Sequence, residues 1–193
     1  MSEIIEGYKK LLRERLSDRK YRHTLSVGDE AVKLAKIYKA DPDKAYMAGL
    51  LHDITKEEPY EKQLELCARF AISLDQYDRR VPKILHAMTG AGFARVVLGV
   101  RDEDVLSAVY YHTTGRENMT LLEKIIYLAD YVEPLRDFEG VDRVREWVYD
   151  DLDKALLIAL TATTEEVIER GSIVSLNTIK ARNFLICRSM EEQ

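Results

Sequence analysis

Cysteine is scarce in this chain of 193 residues, and Cys67 and Cys187 are too few for a disulfide framework. Neither lies in a spacing typical of a zinc site. A reducing compartment is the simpler expectation, so we predict a cytoplasmic protein. The N-terminal segment mixes acidic and basic side chains, which is not the pattern of a secretory signal peptide.

Long apolar runs are missing as well. Runs such as 155–160 fall far short of the roughly 20 residues that a membrane-spanning helix needs, so we expect no membrane span. Positive charge is not in excess either, because the net charge is −5. A general nucleic-acid binder normally has a strongly basic face, so we expect no nucleic-acid partner. The net charge does not exclude a small phosphorylated ligand, since such a ligand needs only local positive charge or a metal.

No segment alternates persistently between apolar and polar residues, whereas helical periods recur from end to end. The sequence therefore predicts an all-α fold with a single domain over 1–193. Within it we expect an N-terminal docking helix over 1–17, a core over 18–134 that carries the metal ligands, and C-terminal helices over 135–193. Individual predicted helices include 43–53, 141–149 and 178–190.

Histidine is also rare, yet each of the four histidines lies on the apolar face, or at the end, of a separate predicted helix. The pair His52-Asp53 ends the most apolar of these helices, where an unpaired charge costs on the order of several kcal/mol. A core histidine bonded to a carbonyl is the ordinary interpretation for a single residue. The recurrence indicates one shared metal site instead. Its candidate ligands are His23, His52, Asp53, His86, His112 and Asp130.

Local metal-binding motifs are absent. There is no His-Glu-x-x-His, and the residues three before the histidines are Lys20, Gly49, Lys83 and Val109, so the Glu-x-x-His pairs of di-iron bundles are missing too. The site must therefore be gathered from several helices. Its imidazoles and carboxylates could hold one metal, or a closely spaced pair bridged by Asp53.

The order of these residues resembles the HD-domain metal-dependent phosphohydrolase superfamily, and five sequence blocks are similar to its bacterial YqeK branch of symmetrical bis(5′-nucleosyl)-tetraphosphatases. The blocks span most of the chain and are specific in combination. They are Lys20-Tyr-Arg-His23-Thr-Leu-Ser-Val, Gly49-Leu-Leu-His52-Asp53-Ile-Thr-Lys56, His86-Ala-Met-Thr-Gly90, Tyr110-Tyr-His112-Thr-Thr-Gly115 and Tyr127-Leu-Ala-Asp130-Tyr-Val-Glu-Pro134.

The resemblance implies an all-helical HD bundle with one or two iron ions, or another divalent transition metal, at its centre. It implies cleavage of diadenosine tetraphosphate to two ADP by metal-activated water, and a homodimer. His23, His52, Asp53 and Asp130 would ligate the better-defined metal. His86 and His112 would complete a second position or contact phosphate. Two alternatives stay open: another HD nucleotide phosphohydrolase acting on deoxynucleoside triphosphates, cyclic nucleotides or monophosphates, and a regulatory HD module without turnover.

The same resemblance implies the substrate contacts. Asp53, Lys56, His112 and Arg136 would be catalytic, with Lys56 and Arg136 stabilising charge on the leaving group and His112 donating a proton. Surface solvation is the alternative interpretation of the two cations. The implied substrate-binding residues include every metal ligand except His52. The others are Lys20, Ile54, Thr55, Lys56, Thr113, Arg136, Ile173, Val174, Ser175, Leu176, Asn177 and Thr178.

Overall fold

A computed structural model describes residues 2–191, and every regular element within that range is helical. The all-α prediction is confirmed. No helix of the described chain is both long and apolar enough to cross a membrane. The helices are α1 (Ser2–Arg15), α2 (Asp18–Tyr38), α3 (Pro42–Leu51), α4 (Tyr60–Arg69), α5 (Pro82–Val96), α6 (Glu103–Tyr111), α7 (Leu121–Val132), α8 (Val141–Arg145), α9 (Leu152–Glu169) and α10 (Leu176–Glu191), with a 3-10 turn at Asp78–Arg80.

The helix starts follow from local hydrogen bonding. Asp41 accepts hydrogen bonds from the backbone of Asp43 and Lys44, at 2.9 and 3.2 Å, and a proline stands in the first turn of α3. Thr120 and Glu123 form the reciprocal capping box at the start of α7. Both helix starts are therefore fixed by side chains within the first turn.

Three predicted boundaries are wrong. Helix α3 ends at Leu51, so His52 is its C-cap and Asp53 lies in the turn that follows. The predicted helix over 141–149 ends at Arg145 and continues as hydrogen-bonded turns. The last helix begins at Leu176, because the Ser175 carbonyl accepts a hydrogen bond from the Thr178 amide at 3.1 Å and so opens the first turn earlier.

The centre of the molecule is the crossing of α2 and α3. Gly28 and Gly49 meet there, and a Cβ atom on Gly49 would lie 2.8 Å from the Gly28 Cα. The two backbones are therefore in direct contact, which only glycine permits. This contact brings His23 of α2 close to His52 at the end of α3, with ring centroids 5.4 Å apart.

We expect Gly49→Ala to lower the free energy of unfolding by about 1–3 kcal/mol, because the added methyl group would collide with backbone that cannot move independently. Thermal unfolding followed by circular dichroism measures the change. Gly7→Ala is the matched control, since Gly7 is also helical but has nothing within 4 Å of an added Cβ atom. A Gly49→Ala protein as stable as wild type would contradict the close packing.

Candidate metal centre

Five helices bring all six predicted ligands to one place. Helices α2, α5 and α7 supply one side chain each from within the helix, whereas the ends of α3 and α6 supply the other three. His86 Nε2 lies 3.1 Å from Asp53 Oδ1 and 3.1 Å from His112 Nε2. His23 Nε2 lies 3.0 Å from Asp130 Oδ1. The structure therefore places these residues in one continuous cluster.

His52 and His112 are held in the same way. Each is the C-cap of its helix, and each donates its Nδ1 hydrogen to the carbonyl three residues earlier, at 2.6 Å to Gly49 and 2.7 Å to Val109. A histidine bonded through Nδ1 has its lone pair on Nε2. Both rings therefore present an electron pair to the cluster, as metal ligands do.

Several buried atoms of the cluster form no hydrogen bond within the described chain: His23 Nε2, His52 Nε2 and Asp53 Oδ1. Buried polar atoms are seldom left unpaired, because each lost hydrogen bond costs free energy. Two overlapping triads place their ligand atoms within 4.8 Å of one another: His23, His52 and Asp130, and His52, Asp53 and His112. A divalent metal ion would satisfy the orphaned atoms, so the residues present fit such an ion.

The electrostatics of the carboxylates suit a cation. Burial raises the pKa of Asp53, but the neighbouring His52 and Lys56 outweigh it and hold this pKa well below its ordinary value. Burial likewise raises the pKa of Asp130, but the adjacent His23 imidazole and the Arg136 charge outweigh it and bring this pKa well below normal. Both carboxylates are therefore ionised at neutral pH, available as anionic ligands.

Asp130 is less buried than its place on an apolar stripe predicts. Its side chain is 21% exposed, because it borders an open cavity rather than the core. The exposed fraction of Asp53 is only 2%. The two carboxylates thus differ in access: Asp53 lies inside the cluster and Asp130 at its open edge.

His86 and His112 have lowered pKa values, so both rings are neutral at neutral pH. Burial, with the Lys56 charge, outweighs the attraction of Asp53 and lowers the pKa of His86 to about 4. Burial also lowers the pKa of His112. With its Nδ1 hydrogen on a carbonyl, neutral His112 offers a lone pair and no proton from Nε2. The geometry therefore favours the ligand role of His112 over its predicted role as proton donor.

Three predicted cationic residues face the cluster. Lys20 Nζ lies 3.2 Å from Asp53 Oδ2, and Lys56 Nζ lies 3.6 Å from Asp53 Oδ1 and 3.0 Å from His86 Nε2. Arg136 pairs with the Asp130 carboxylate and also donates to the Asp130 carbonyl at 2.8 Å. These three cations therefore direct their positive charge at the cluster. The alternative interpretation, that Lys56 and Arg136 are only solvated surface residues, does not fit these contacts.

Ile54 and Thr55 lie in the turn after Asp53 but have structural contacts. Both side chains are 1% exposed. The Thr55 hydroxyl donates to the His86 carbonyl at 2.9 Å, which ties the Asp53 turn to α5. Ile54 packs in the hydrophobic core. Ile54 and Thr55 therefore lie beside the ligand cluster, but their side chains face the core and α5 rather than an open surface.

The predicted connector residues divide between two cavities. Ile173, Val174, Ser175 and Thr178 line a cavity of about 350 Å³ together with Thr113. We name it the connector cavity. Leu176 and Asn177 line a neighbouring pocket of about 60 Å³ instead. Thr113 links the connector cavity to the metal centre, since its Oγ1 lies 3.1 Å from His112 Nε2.

The family model described as the HD domain matches residues 21–135, a range that contains all six clustered residues. The chain belongs to the HD-domain family. It is 38% identical to the symmetrical bis(5′-nucleosyl)-tetraphosphatase of Bacillus subtilis over 92% of this chain and 95% of that protein. The protein of the same name from Halalkalibacterium halodurans is 39% identical over 91% and 94%.

A solved structure supports the fold of this HD-domain protein. The crystal structure of a predicted HD superfamily hydrolase involved in NAD metabolism from Clostridium acetobutylicum is 47% identical, with a TM-score of 0.93. The match covers 95% of this chain and 97% of that one. The resemblance of the sequence to the HD superfamily and its tetraphosphatase branch is therefore confirmed.

Glu133 is a residue of the site that the sequence analysis missed. It is 1% exposed, and its Oε1 accepts a hydrogen bond from His23 Nδ1 at 3.0 Å. Its Oε2 accepts from the Leu135 amide at 2.7 Å. Glu133 thereby fixes the ring of His23 with Nε2 towards the cluster. Its position at the C-cap of α7, three residues after Asp130, is the sequence signal that could have identified it.

We expect Glu133→Gln to weaken metal binding about 10- to 100-fold, the range found when partners of metal-ligating histidines are removed. Glutamine has one acceptor oxygen, so either His23 or the Leu135 amide loses its partner. Metal content after dialysis against a graded series of chelator concentrations measures the effect. Glu30→Gln is the control, because Glu30 is also buried on α2 but bonds Tyr149 instead. Equal metal retention by both variants would contradict this role.

Proposed function

We propose that this HD-domain protein is a metal-dependent hydrolase that cleaves diadenosine tetraphosphate symmetrically to two ADP. The observation that carries the proposal is the cluster of six metal-ligand candidates with Lys20, Lys56 and Arg136 around it, beside open cavities. The names of the relatives from Bacillus subtilis and Halalkalibacterium halodurans support the choice of substrate.

His23, His52, Asp53 and Asp130 would hold one metal ion, and His86 with His112 would complete a second position or contact phosphate. We propose iron as the resident metal, because imidazole and carboxylate ligands suit it. When bound, such an ion neutralises phosphate charge and lowers the pKa of water from its bulk value towards about 7. Asp53, at the middle of the cluster, is the residue that could bridge two ions.

The cationic side chains of Lys56 and Arg136 would neutralise negative charge on the substrate. Lys56 and Arg136 already pair with the carboxylates of the cluster. When a substrate phosphate arrives, these two cations would exchange a carboxylate partner for a phosphate oxygen. The leaving ADP ends in a phosphate whose last pKa is about 6 in comparable monoesters. It can therefore depart without a proton, and charge neutralisation by these two residues is what the step needs.

The connector cavity would hold one nucleoside of the substrate. It joins the metal centre at Thr113, and its walls combine apolar side chains of Ile173 and Val174 with the hydroxyl groups of Ser175 and Thr178. A mixed surface of this kind suits a base and a ribose. In this proposal the C-terminal segment over 135–193 completes the nucleotide pocket.

The cellular setting is also proposed. Cys67 and Cys187 are both free thiols in the structure, which agrees with a reducing cytoplasm. The homodimer, and the absence of a nucleic-acid partner, remain predictions from the family resemblance and the net charge. Gel filtration with light scattering tests the dimer directly.

Product analysis tests the proposed reaction. Purified protein loaded with ferrous iron under anaerobic conditions should convert diadenosine tetraphosphate to ADP alone, measured by ion-exchange chromatography. Formation of ATP with AMP would show asymmetric cleavage and reject the symmetrical mechanism. Turnover of deoxynucleoside triphosphates, cyclic nucleotides or monophosphates in place of the dinucleotide would identify another HD phosphohydrolase. Binding without any turnover would identify a regulatory module.

We expect Asp53→Ala to abolish both metal binding and hydrolysis while leaving a helical protein, because Asp53 is the carboxylate common to most of the cluster. Elemental analysis, a product assay and circular dichroism measure the three properties. Asp29→Ala on the exposed face of α2 should retain full activity. Activity in a metal-analysed Asp53→Ala sample would exclude this mechanism.

A further inference from the structure

A second cavity, of about 1060 Å³, also borders the cluster of metal-ligand candidates. We name it the large cavity. Its deep end is formed by His112, Asp130 and Arg136, so it reaches the cluster directly. None of the residues that line its outer part belongs to the predicted site. Its position beside the reacting groups raises the question of what it binds.

The large cavity and the connector cavity diverge from one point. They share Thr113 at the base and Thr163, Glu166 and Arg170 of the α9 side as a common wall. Thr113 Oγ1 lies 3.4 Å from His86 Nε2, so the point of divergence is at the cluster itself. A ligand centred on the metal site therefore has two separate directions in which to extend.

The volumes of the two cavities allow both directions to be used. Pockets for a single drug-sized ligand measure about 300–1,000 Å³, so the connector cavity at about 350 Å³ accepts one small half of a ligand. A dinucleoside tetraphosphate cut at its centre has two identical halves that lead away from the reacting bond. The half that is not in the connector cavity needs a second space in contact with the cluster, which the large cavity provides.

The two ends of the large cavity differ in charge. Positive charge from Arg136 lies at the deep end, beside the metal ligands. The outer lining holds five carboxylates, namely Glu139, Asp142, Glu165, Glu166 and Glu169, against two cations, Arg143 and Arg170. The Arg170 guanidinium is already paired with Glu166 at 2.6 Å, so the rim is acidic on balance. Such a rim repels phosphate and accepts hydrogen bonds from hydroxyl or amino groups. It therefore suits the uncharged nucleoside end of a nucleotide.

Two aromatic rings stand between these ends. Tyr131 and Phe138 meet edge to face, with centroids 5.1 Å apart and planes at 79°. Phe138 is 40% exposed, which is unusual for a phenylalanine that already has an aromatic neighbour. An edge-to-face pair leaves a ring face open, and an open aromatic face is a stacking surface for a nucleic-acid base.

We propose that the large cavity is a second half-site, which binds the other nucleoside diphosphate half of a dinucleoside tetraphosphate with its base against Phe138 and its ribose towards the acidic rim. The inference rests on the proposed function, because it takes the two-nucleoside substrate from there. It adds Tyr131 and Phe138 as residues that determine substrate length and orientation.

The test compares Phe138→Ala with wild type in metal-loaded protein. We expect the KM for diadenosine tetraphosphate to rise about tenfold with little change in kcat, since stacking on an aromatic ring is worth about 1–3 kcal/mol per base and Phe138 lies away from the reacting atoms. Phe138→Trp, which keeps a stacking face, should restore the wild-type KM. Leu135→Ala is the control, because Leu135 is exposed in the same loop but does not line the cavity.

Equilibrium dialysis with ADP separates the failure of this inference from the failure of the proposed function. In a titration, wild type and Leu135→Ala should bind two ADP per chain with unchanged affinities, and Phe138→Ala should bind one of the two ADP about tenfold more weakly. If the dinucleotide is hydrolysed but wild type binds a single ADP, or Phe138→Ala keeps its KM within twofold, the half-site is wrong and the function stands. If wild type binds two ADP, one of them is bound about tenfold more weakly by Phe138→Ala and no dinucleotide is cleaved, the cavity stands and the function is wrong.

Discussion

A buried carboxylate, Asp53, is the constraint on which the rest of this structure depends. It is 2% exposed and lies where the helices converge, so its charge must be compensated by neighbours rather than by water. Lys20 and Lys56 supply part of that compensation from two sides. The Oδ1 atom still lacks a hydrogen bond although His86 Nε2 is 3.1 Å away, which is the arrangement expected of two electron-pair donors around a cation.

The ends of two helices hold the histidines around Asp53 in fixed orientations. Helix termini leave carbonyl groups without partners, and His52 and His112 use their Nδ1 hydrogens to satisfy two of them. The same hydrogen bonds orient both rings towards Asp53. The hydrogen bonds that cap the ends of α3 and α6 therefore also orient the candidate metal ligands. The backbone contact of Gly28 with Gly49 then sets the distance between the α2 and α3 contributions.

Local chemistry explains why much of the fold and the metal cluster was predictable from the sequence. Caps such as Asp41 and Thr120 act within three residues, and rare polar residues on apolar stripes are visible without any tertiary information. Tertiary placement was not predictable in the same way. The sequence offers no sign that Thr55 turns towards α5, that Leu176 starts a helix, or that Phe138 borders a cavity with Tyr131. Each of these depends on which helices become neighbours.

Symmetrical cleavage, under the proposed function, follows from the positions of the cavities more than from the chemistry of the metal site. The phosphoanhydride bonds of a tetraphosphate are chemically similar, so the cluster has little basis for choosing among them. Selection then has to come from where the nucleosides are held. Because the connector cavity and the large cavity diverge at Thr113, equal halves on both sides place the central bond at the cluster. Each anchored nucleoside sets its own distance to the cluster, so a second nucleoside in the large cavity would reinforce the register that the first one sets.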